Sequence, residues 1–572
     1  MDGPPDVDCG EREIPRREGW DGPVPHRENG AGGVRRGVLF GLARHRWVLG
    51  RGRPGLAGLS QVQAAQGHSQ RAAGYRGGGP GHEDVLPGVQ VLEQALRGCT
   101  PEKIRAFYDD YHRYLRSQGV DGVKVDAQSV VNFLGPGNEG SVMLSRAFHT
   151  ALSKSVRKHF SDSDGEKGAG GRIIHCMCHD SEILLQVPAC YERQPVIRGS
   201  DDFYPRDKGS HSPHIYANAF NGLMISSCGL QDWDMFQTNI GDASWMHAAA
   251  RAVSGGPVYI SDRPGDHNTE ILRRMVLEDG SVLKPPANAL PCLKSLFVDP
   301  QRDEDALLSI WNECEVPGHG VVALFNLYGS AWSQRRRTYA PVRTASGALS
   351  GVPVNGDSED GNAYGKGVEG GVRPSDCHRL LRDHVGAGTE EEGTRGRVKQ
   401  KRWHDRYAVH FHFSDRLVVG GLNDEHSVAL LKGKSEVVAI SKVHGLTIDA
   451  PSVKGGEWAS IGLADMFNAG GAIVSESLSQ RGGGKAEANL MVKGRGRFLA
   501  LCSLRPASVL FEGERLEFSH GQNSEGVPFL EVELPGGYEG KPRALIVRWD
   551  KDSRLAGGGG GSGVKGSGRP ER

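Results

Sequence analysis

No apolar run in this sequence approaches the roughly 18 residues that a membrane-crossing helix requires, and Met1 to Gly19 holds no apolar core of the kind a secretory signal carries. The expectation is a soluble cytoplasmic protein with no membrane partner. Charge of one sign is lacking as well: 69 Lys and Arg stand against 69 Asp and Glu, for a net charge of +0. That balance removes the usual argument for a nucleic-acid or anionic-membrane partner, and a neutral substrate fits it. Zinc-type cysteine pairs are also absent. The 10 cysteines are scattered, which points to a reducing compartment, and Cys176-Met177-Cys178-His179 lacks both the C-x₂-C spacing and a second pair, so no metal is expected. Glycine is in excess instead. The 82 glycines, where about 7% of residues is usual, cluster in the first 80 residues, in 329–400 and in 556–568, segments expected to lie outside any core.

A chain of 572 residues can hold about two to four domains. Residues 1–72 show little periodicity and are predicted not to fold alone. At Thr100-Pro101 a cap and a first-turn proline open a helix whose Ile104, Phe107, Tyr108, Tyr111, Tyr114 and Leu115 recur at helical spacing until Gly119. A short strand, Val123-Lys124-Val125, then stops on Asp126. Helix and strand alternate four more times: 141–159 before Ile173–Met177, a second turn of chain before Val196–Arg198, His214–Leu223 before Gln231–Asp234, and Trp245–Val253 before Val258–Asp262. Nearly every strand ends in charge, the pattern of a (β/α) barrel with its site at the C-terminal rim. After Leu293 the helical period fades, and period-two alternation in Tyr407–Phe413, Phe529–Leu534 and Leu545–Trp549 predicts a β-sandwich. The predicted organisation is a barrel domain over 73–292, a C-terminal antiparallel β-sandwich over 293–328 and 401–550, a low-complexity insertion over 329–400 expected to be disordered, and a flexible tail over 551–572.

Asp126 is the candidate nucleophile. It and the Asp201-Asp202 pair are read as strand ends one β/α step apart, facing one pocket. Two carboxylates about 5 Å apart serve a retaining glycosidase, and a wider gap serves an inverting one; sequence spacing leaves that open. A lone strand-end Asp is more often a helix cap or a solvated charge. Here Lys124, Arg198 and Asp234 share the rim, and cations beside carboxylates keep them ionised. Trp233 reads equally as a core residue or as a flat face for a sugar ring.

These residues fall in motifs that resemble a known family: Gly122-Val123-Lys124-Val125-Asp126, Cys176-Met177-Cys178-His179, Arg198-Gly199-Ser200-Asp201-Asp202-Phe203-Tyr204-Pro205-Arg206-Asp207, Asp232-Trp233-Asp234-Met235-Phe236, Ser261-Asp262-Arg263-Pro264-Gly265, and Ile461 to Ala472. From about Gly74 to Asp550 the chain resembles the raffinose synthase and alkaline α-galactosidase (seed imbibition) group of glycoside hydrolase family 36. The resemblance implies a (β/α)8-type barrel and a retaining double displacement, with Asp126 as nucleophile and Asp202, four residues after Arg198, as acid/base. Asp201 is then a supporting partner, and Lys124, Arg198, Trp233 and Asp234 line the galactose subsite. The implied small-molecule partners are galactinol as donor and sucrose as acceptor, giving raffinose; in a hydrolase of the group water replaces the acceptor. Neither activity implies a cofactor.

Two motifs the family carries upstream, Trp-Cys-Thr-Trp-Asp and Asp-Asp-Gly-Trp-Gln, are missing, as is its large β-domain, and Arg76 follows Tyr75 where the family tends to place Trp. By resemblance the five strands are the fourth to eighth, so the N-terminal strands are missing, and a chain so truncated is expected to expose strand edges and to be impaired. The expectations therefore rank as a galactosyltransferase, then an α-galactosidase, then an inactive sugar-binding remnant. The oligomeric state is not legible.

Overall fold

The computed structural model describes residues 100–134, 140–161, 172–191, 195–342, 367–380, 382, 405–448, 455–481, 485–551 and 553–555. The chain divides into Met1–Arg36 and Gly37–Arg572. The first unit, with the rest of the expected disordered stretch 1–72, lies outside the described residues, as does the tail beyond 555.

Helix α1 (Pro101–Ser117) begins where the Thr100 side chain accepts from Lys103 N, has Pro101 in its first turn, and is followed by Gly119 at φ 84°. Its buried positions are Ile104 and His112, whereas Tyr114, expected on the apolar face, is 60% exposed. His112 Nδ1 meets Ser155 Oγ at 2.9 Å, which docks α1 on helix α2 (Ser141–Phe160). Strands β1 (Val123–Val125), β2 (Ile173–His175), β3 (Val196–Arg198) and β4 (Leu230–Asp232) form a four-stranded parallel sheet in that order. Helices α3 (His211–Ile225) and α4 (Asp242–Ser254) complete the β/α alternation.

The sheet differs from the expected five strands. Residues 258–262 reach it only through a single parallel bridge, Phe236 to Ile260. Asp234 is the cause: at φ 66° it turns the chain in the left-handed region, ending β4 at Asp232, and pairing resumes two residues later. β2 stops early for the same reason, Met177 lying at φ 46°. Among the described residues nothing pairs with the outer side of β1, so barrel closure is not part of the described structure.

The C-terminal half is antiparallel. A six-stranded sheet runs in the order 416–421, 406–411, 435–442, 319–325, 308–313, 290–291. Two five-stranded sheets, centred on 496–502 and 543–549, close over one core in which Trp458 and Trp549 meet edge to face at 5.2 Å. The six-stranded sheet joins the two halves. On one face Val321, Ala323, Phe325 and Val437 pack with α4 through Ala249 and Val253, while Ala408 and Ala439 pack on Ile461 and Leu499 of the neighbouring sheet.

The insertion expected to be disordered over 329–400 is partly built. Ser330–Ser333 and Thr338–Pro341 form a hairpin, and Val368–Val372 pairs with His426–Leu430. Alternation and cross-strand pairing act over four or five residues, too few to stand out from the surrounding Gly- and Ser-rich text. Residues 343–366 and 383–404 lie outside the described residues.

Phe498 sits fully buried between the two five-stranded sheets. Phe498→Ala is expected to cost about 3–5 kcal/mol of stability, and Tyr114→Ala at most about 0.5 kcal/mol, read as urea midpoints of the full chain. Equal midpoints for the two variants would contradict the shared core.

Candidate active site

The strand ends arrive in register. Val125, His175, Ile197 and Gln231 are cross-strand partners. Side chains alternate along a strand, so the next residues, Asp126, Cys176, Arg198 and Asp232, form a row on the opposite face, which Lys124 shares. The first row meets helices: Ile197 packs with Ile183, Val187 and Ile225, and Val125 with Leu152 and Val156. The second row is polar, and it is the site.

Arg198 is its hub. The side chain is 2% exposed, and Nη2 donates to Asp202 Oδ1 at 2.9 Å and to the Asp201 carbonyl at 3.1 Å and pairs with Asp234 Oδ2 at 2.5 Å, while Nη1 reaches Cys176 Sγ at 3.5 Å. Burial alone would lower the guanidinium's pKa; the Asp234 and Asp232 carboxylates and the Cys176 sulfur outweigh it, and the net shift is upward. Asp234, 1% exposed, also accepts from Lys124 Nζ at 3.2 Å and from Phe203 N at 2.9 Å. Burial pushes this carboxyl up, but Arg198 and Lys124 beside it hold it down to about 2. Asp232 goes the other way: fully buried, it is raised by desolvation, which Lys124 and Arg198 only partly offset. Tyr259 bridges the pair, accepting from Lys124 at 3.2 Å and donating to Asp232 Oδ2 at 2.8 Å. Asp126 closes the row. It accepts from Ala127 N at 2.7 Å and lies against the Cys176 thiol, which burial raises, Arg198 lowers and Asp126 raises further.

Strain gathers at these ends. Ala127, Met177 and Asp234 are three of the six non-glycine residues with positive φ among the described residues, and each stands two places past a strand of the sheet. Such strain persists where surroundings over-determine it. At Asp234 the determinant is Arg251 of α4, fully buried, whose Nη2 donates to Trp233 O at 2.7 Å and Met235 O at 3.2 Å and whose Nε donates to Asp234 O at 3.3 Å. Arginine only donates, so His247 Nδ1, at 2.7 Å, accepts, while His214 Nε2 lies 3.0 Å from Arg251 Nη2 and 3.0 Å from the Trp233 carbonyl. His247 Nε2 then carries the N–H and faces His211 Nδ1 at 2.9 Å, and His214 Nδ1 meets Ser200 Oγ at 3.3 Å. One guanidinium thus fixes the loop of Asp234 directly and the loop of Asp201-Asp202 through His214.

The structure joins Lys124, Arg198, Asp202 and Asp234 in one network and sets Asp126 on the same face. It corrects three readings. Asp126 and the Asp201-Asp202 pair are not one β/α step apart, because β2 stands between β1 and β3. Trp233 is no sugar platform here: the indole is 0% exposed and belongs to a core with Ile215, Phe236 and Ala249. Arg198 and Asp234 are too buried to present a surface, so they position Asp202 and Lys124. Cys176, Asp232, Tyr259 and Arg251 gained no role from sequence. Alternation flags Tyr259, and an arginine on the apolar side of α4, beside Ala249, Ala250 and Val253, flags Arg251. The Cys-x-Cys-His motif splits up: Cys176 joins the site, Cys178 packs in a core, and His179 Nε2 hydrogen-bonds the Arg198 carbonyl.

Carboxylates and cations gathered at the C-terminal ends of a helix-backed parallel sheet define the class of α/β sites that bind small polar ligands. Within that class the chain belongs to the family described as raffinose synthase or seed imbibition protein Sip1, which matches residues 82–368 and 375–531. It is similar to the probable galactinol–sucrose galactosyltransferase 6 of Arabidopsis thaliana, at 35% identity over 77% of this chain and 52% of that protein. It is also similar to the probable galactinol–sucrose galactosyltransferase 1 of the same plant, at 33% identity over 87% and 57%. The chain therefore spans about half the length of the curated relatives it matches. A solved structure, the α-galactosidase of Saccharomyces cerevisiae, aligns at 11% identity and TM-score 0.35, covering 58% of this chain and 74% of that one, a likeness too loose to bear on the site.

Buried imidazoles give the fold a pH dependence. Desolvation holds His175, His214 and His412 down to about 3 and His112, His149 and His211 down to about 4, from 6.5. Below pH 6.5 the unfolded chain takes up protons that the native chain refuses, so the contribution is complete above that pH and is lost as pH falls toward 4. Urea midpoints are expected to fall between pH 7 and 4.5, with uptake of more than one proton on unfolding; a flat profile would contradict the neutral buried histidines.

Proposed function

We propose that this chain carries a site for retaining α-galactosyl transfer, with galactinol as donor and sucrose as acceptor, giving raffinose-type sugars. The observation that carries the reading is the Arg198 hub, which ties Asp202 to Asp234 while Asp126 stands across Cys176 on the same face. Asp126 attacks the anomeric carbon as the bond to the leaving oxygen breaks, and Asp202 gives its proton to that oxygen. An acceptor hydroxyl then yields its proton to the Asp202 carboxylate and bonds to the anomeric carbon, and the ester's electron pair returns to Asp126. Lys124, 22% exposed, offers hydrogen bonds to galactose hydroxyls. Asp201 supports Asp202 by accepting its backbone N–H at 2.8 Å. Sheet closure into a (β/α)8-type barrel belongs to the same proposal, supported by the parallel order and the β/α alternation. Family membership and the names of the relatives support the donor and acceptor.

Hydrolysis is the second reading, favoured by the 64% exposure of the Asp202 side chain, which leaves water free access. Galactinol incubated with and without sucrose separates the two by product, raffinose against free galactose. Sugar-dependent thermal stabilisation without turnover would mark a binding remnant instead.

An activated 2-fluoro-galactosyl donor is expected to label the peptide bearing Asp126; label elsewhere, or none on folded protein, counts against the double displacement. Asp202→Asn is expected to slow galactosides with poor leaving groups by about 10²–10⁴-fold and those with activated phenols far less. Equal loss on both would deny Asp202 the acid role.

A further inference from the structure

The Ser330–Ser333/Thr338–Pro341 hairpin leaves the six-stranded sheet and reaches the loop that holds the acid/base candidate. Ser330 Oγ donates to the Gly209 carbonyl, and Tyr339 OH donates to Asp201 Oδ2 at 3.3 Å. Gln301 Nε2 donates to Ser330 O at 3.0 Å and Val342 N to Gly329 O at 3.1 Å, which pin the hairpin's base. Tyr204 stands beside the same acids: burial, then the Asp201 and Asp202 carboxylates, push that phenol up to about 12. Two tyrosines from different halves of the chain thus converge on Asp201, which accepts the Asp202 amide. Trp332 stands edge to face against Tyr339 at 5.2 Å and 70°. Trp332 is 37% and Tyr204 41% exposed, so both rings offer surface beside this loop.

We propose that Trp332, Tyr339 and Tyr204 form the acceptor subsite, an aromatic wall on which a neutral di- or oligosaccharide rests with a hydroxyl toward Asp202. This rests on the transfer reading above and deepens it. The occupant follows from chemistry. Exposed ring faces cover the C–H side of a sugar, and the phenol and carboxylate edges beside them meet hydroxyls. The wall also borders Asp201 and Asp202, both exposed to solvent, where the second half of the reaction needs an acceptor. A water acceptor needs no such surface.

The test uses the full chain, an aryl α-galactoside donor and sucrose as the acceptor probe. Two readouts are taken: the ratio of transfer product to free galactose, and saturation transfer from protein to sucrose by NMR. Trp332→Ala is expected to lower the ratio about tenfold, equivalent to about 1.4 kcal/mol, and to weaken the sucrose signal, with Trp332→Phe restoring most of both. An unchanged ratio and signal in Trp332→Ala overturns the proposal. If the chain turns over no donor, the transfer reading fails for it and NMR alone decides: a signal lost in Trp332→Ala upholds the subsite, and no signal in the parent overturns it. Turnover that sucrose leaves wholly unaffected also overturns the subsite and leaves hydrolysis standing.

Discussion

The buried pair of Arg198 and Asp234 is the constraint on which the site depends. Two charges, 2% and 1% exposed, have left water, at a cost of several kcal/mol per ion that their mutual attraction seldom repays in full. Removing either alone would leave the other charge buried with only its more exposed partner, Asp202 for Arg198 or Lys124 for Asp234, a destabilising change because desolvation is then less fully offset. Such a pair is poor value as a stabiliser. It makes sense as a fixed point from which Asp202 is held on one side and Lys124 on the other.

The fixed point is itself held from behind. Arg251 grips the carbonyls of Trp233, Asp234 and Met235, which keeps Asp234 in its left-handed turn. Its charge is not neutralised by a direct carboxylate contact but spread over carbonyls and neutral imidazoles, and burial lowers its pKa to about 10. The same α4 presses on the six-stranded sheet, and that sheet sends its hairpin back to Asp201. Site and C-terminal sheets are therefore joined by direct contacts at α4 and at the loop of Asp201-Asp202.

Much of the site was legible because its grammar is local. A strand that ends in Lys-Val-Asp, or an arginine followed four residues later by an acid, survives as a short text whatever surrounds it. The helices of the first half were legible from caps and period, with ends shifted by only a few residues. Trp233 was not legible, since an indole beside carboxylates reads the same whether it faces sugar or core. The Ser330–Pro341 hairpin was hidden because its partners, Gly209 and Asp201, lie more than a hundred residues upstream.

By itself the sequence determined the alternation of strand and helix, the placing of acids and cations at strand ends, the shift to period two after residue 293, and the family. Those follow from side-chain type and spacing, which are properties of a few consecutive residues. Only the tertiary structure decided which of these groups meet: that Arg198 serves Asp202 and Asp234 together, that Asp234 is held ionised while Asp232 is pushed up, that Trp233 turns inward, and that a hairpin from the far half borders the rim. Burial and distance set charge and contact, and neither exists until the chain has folded.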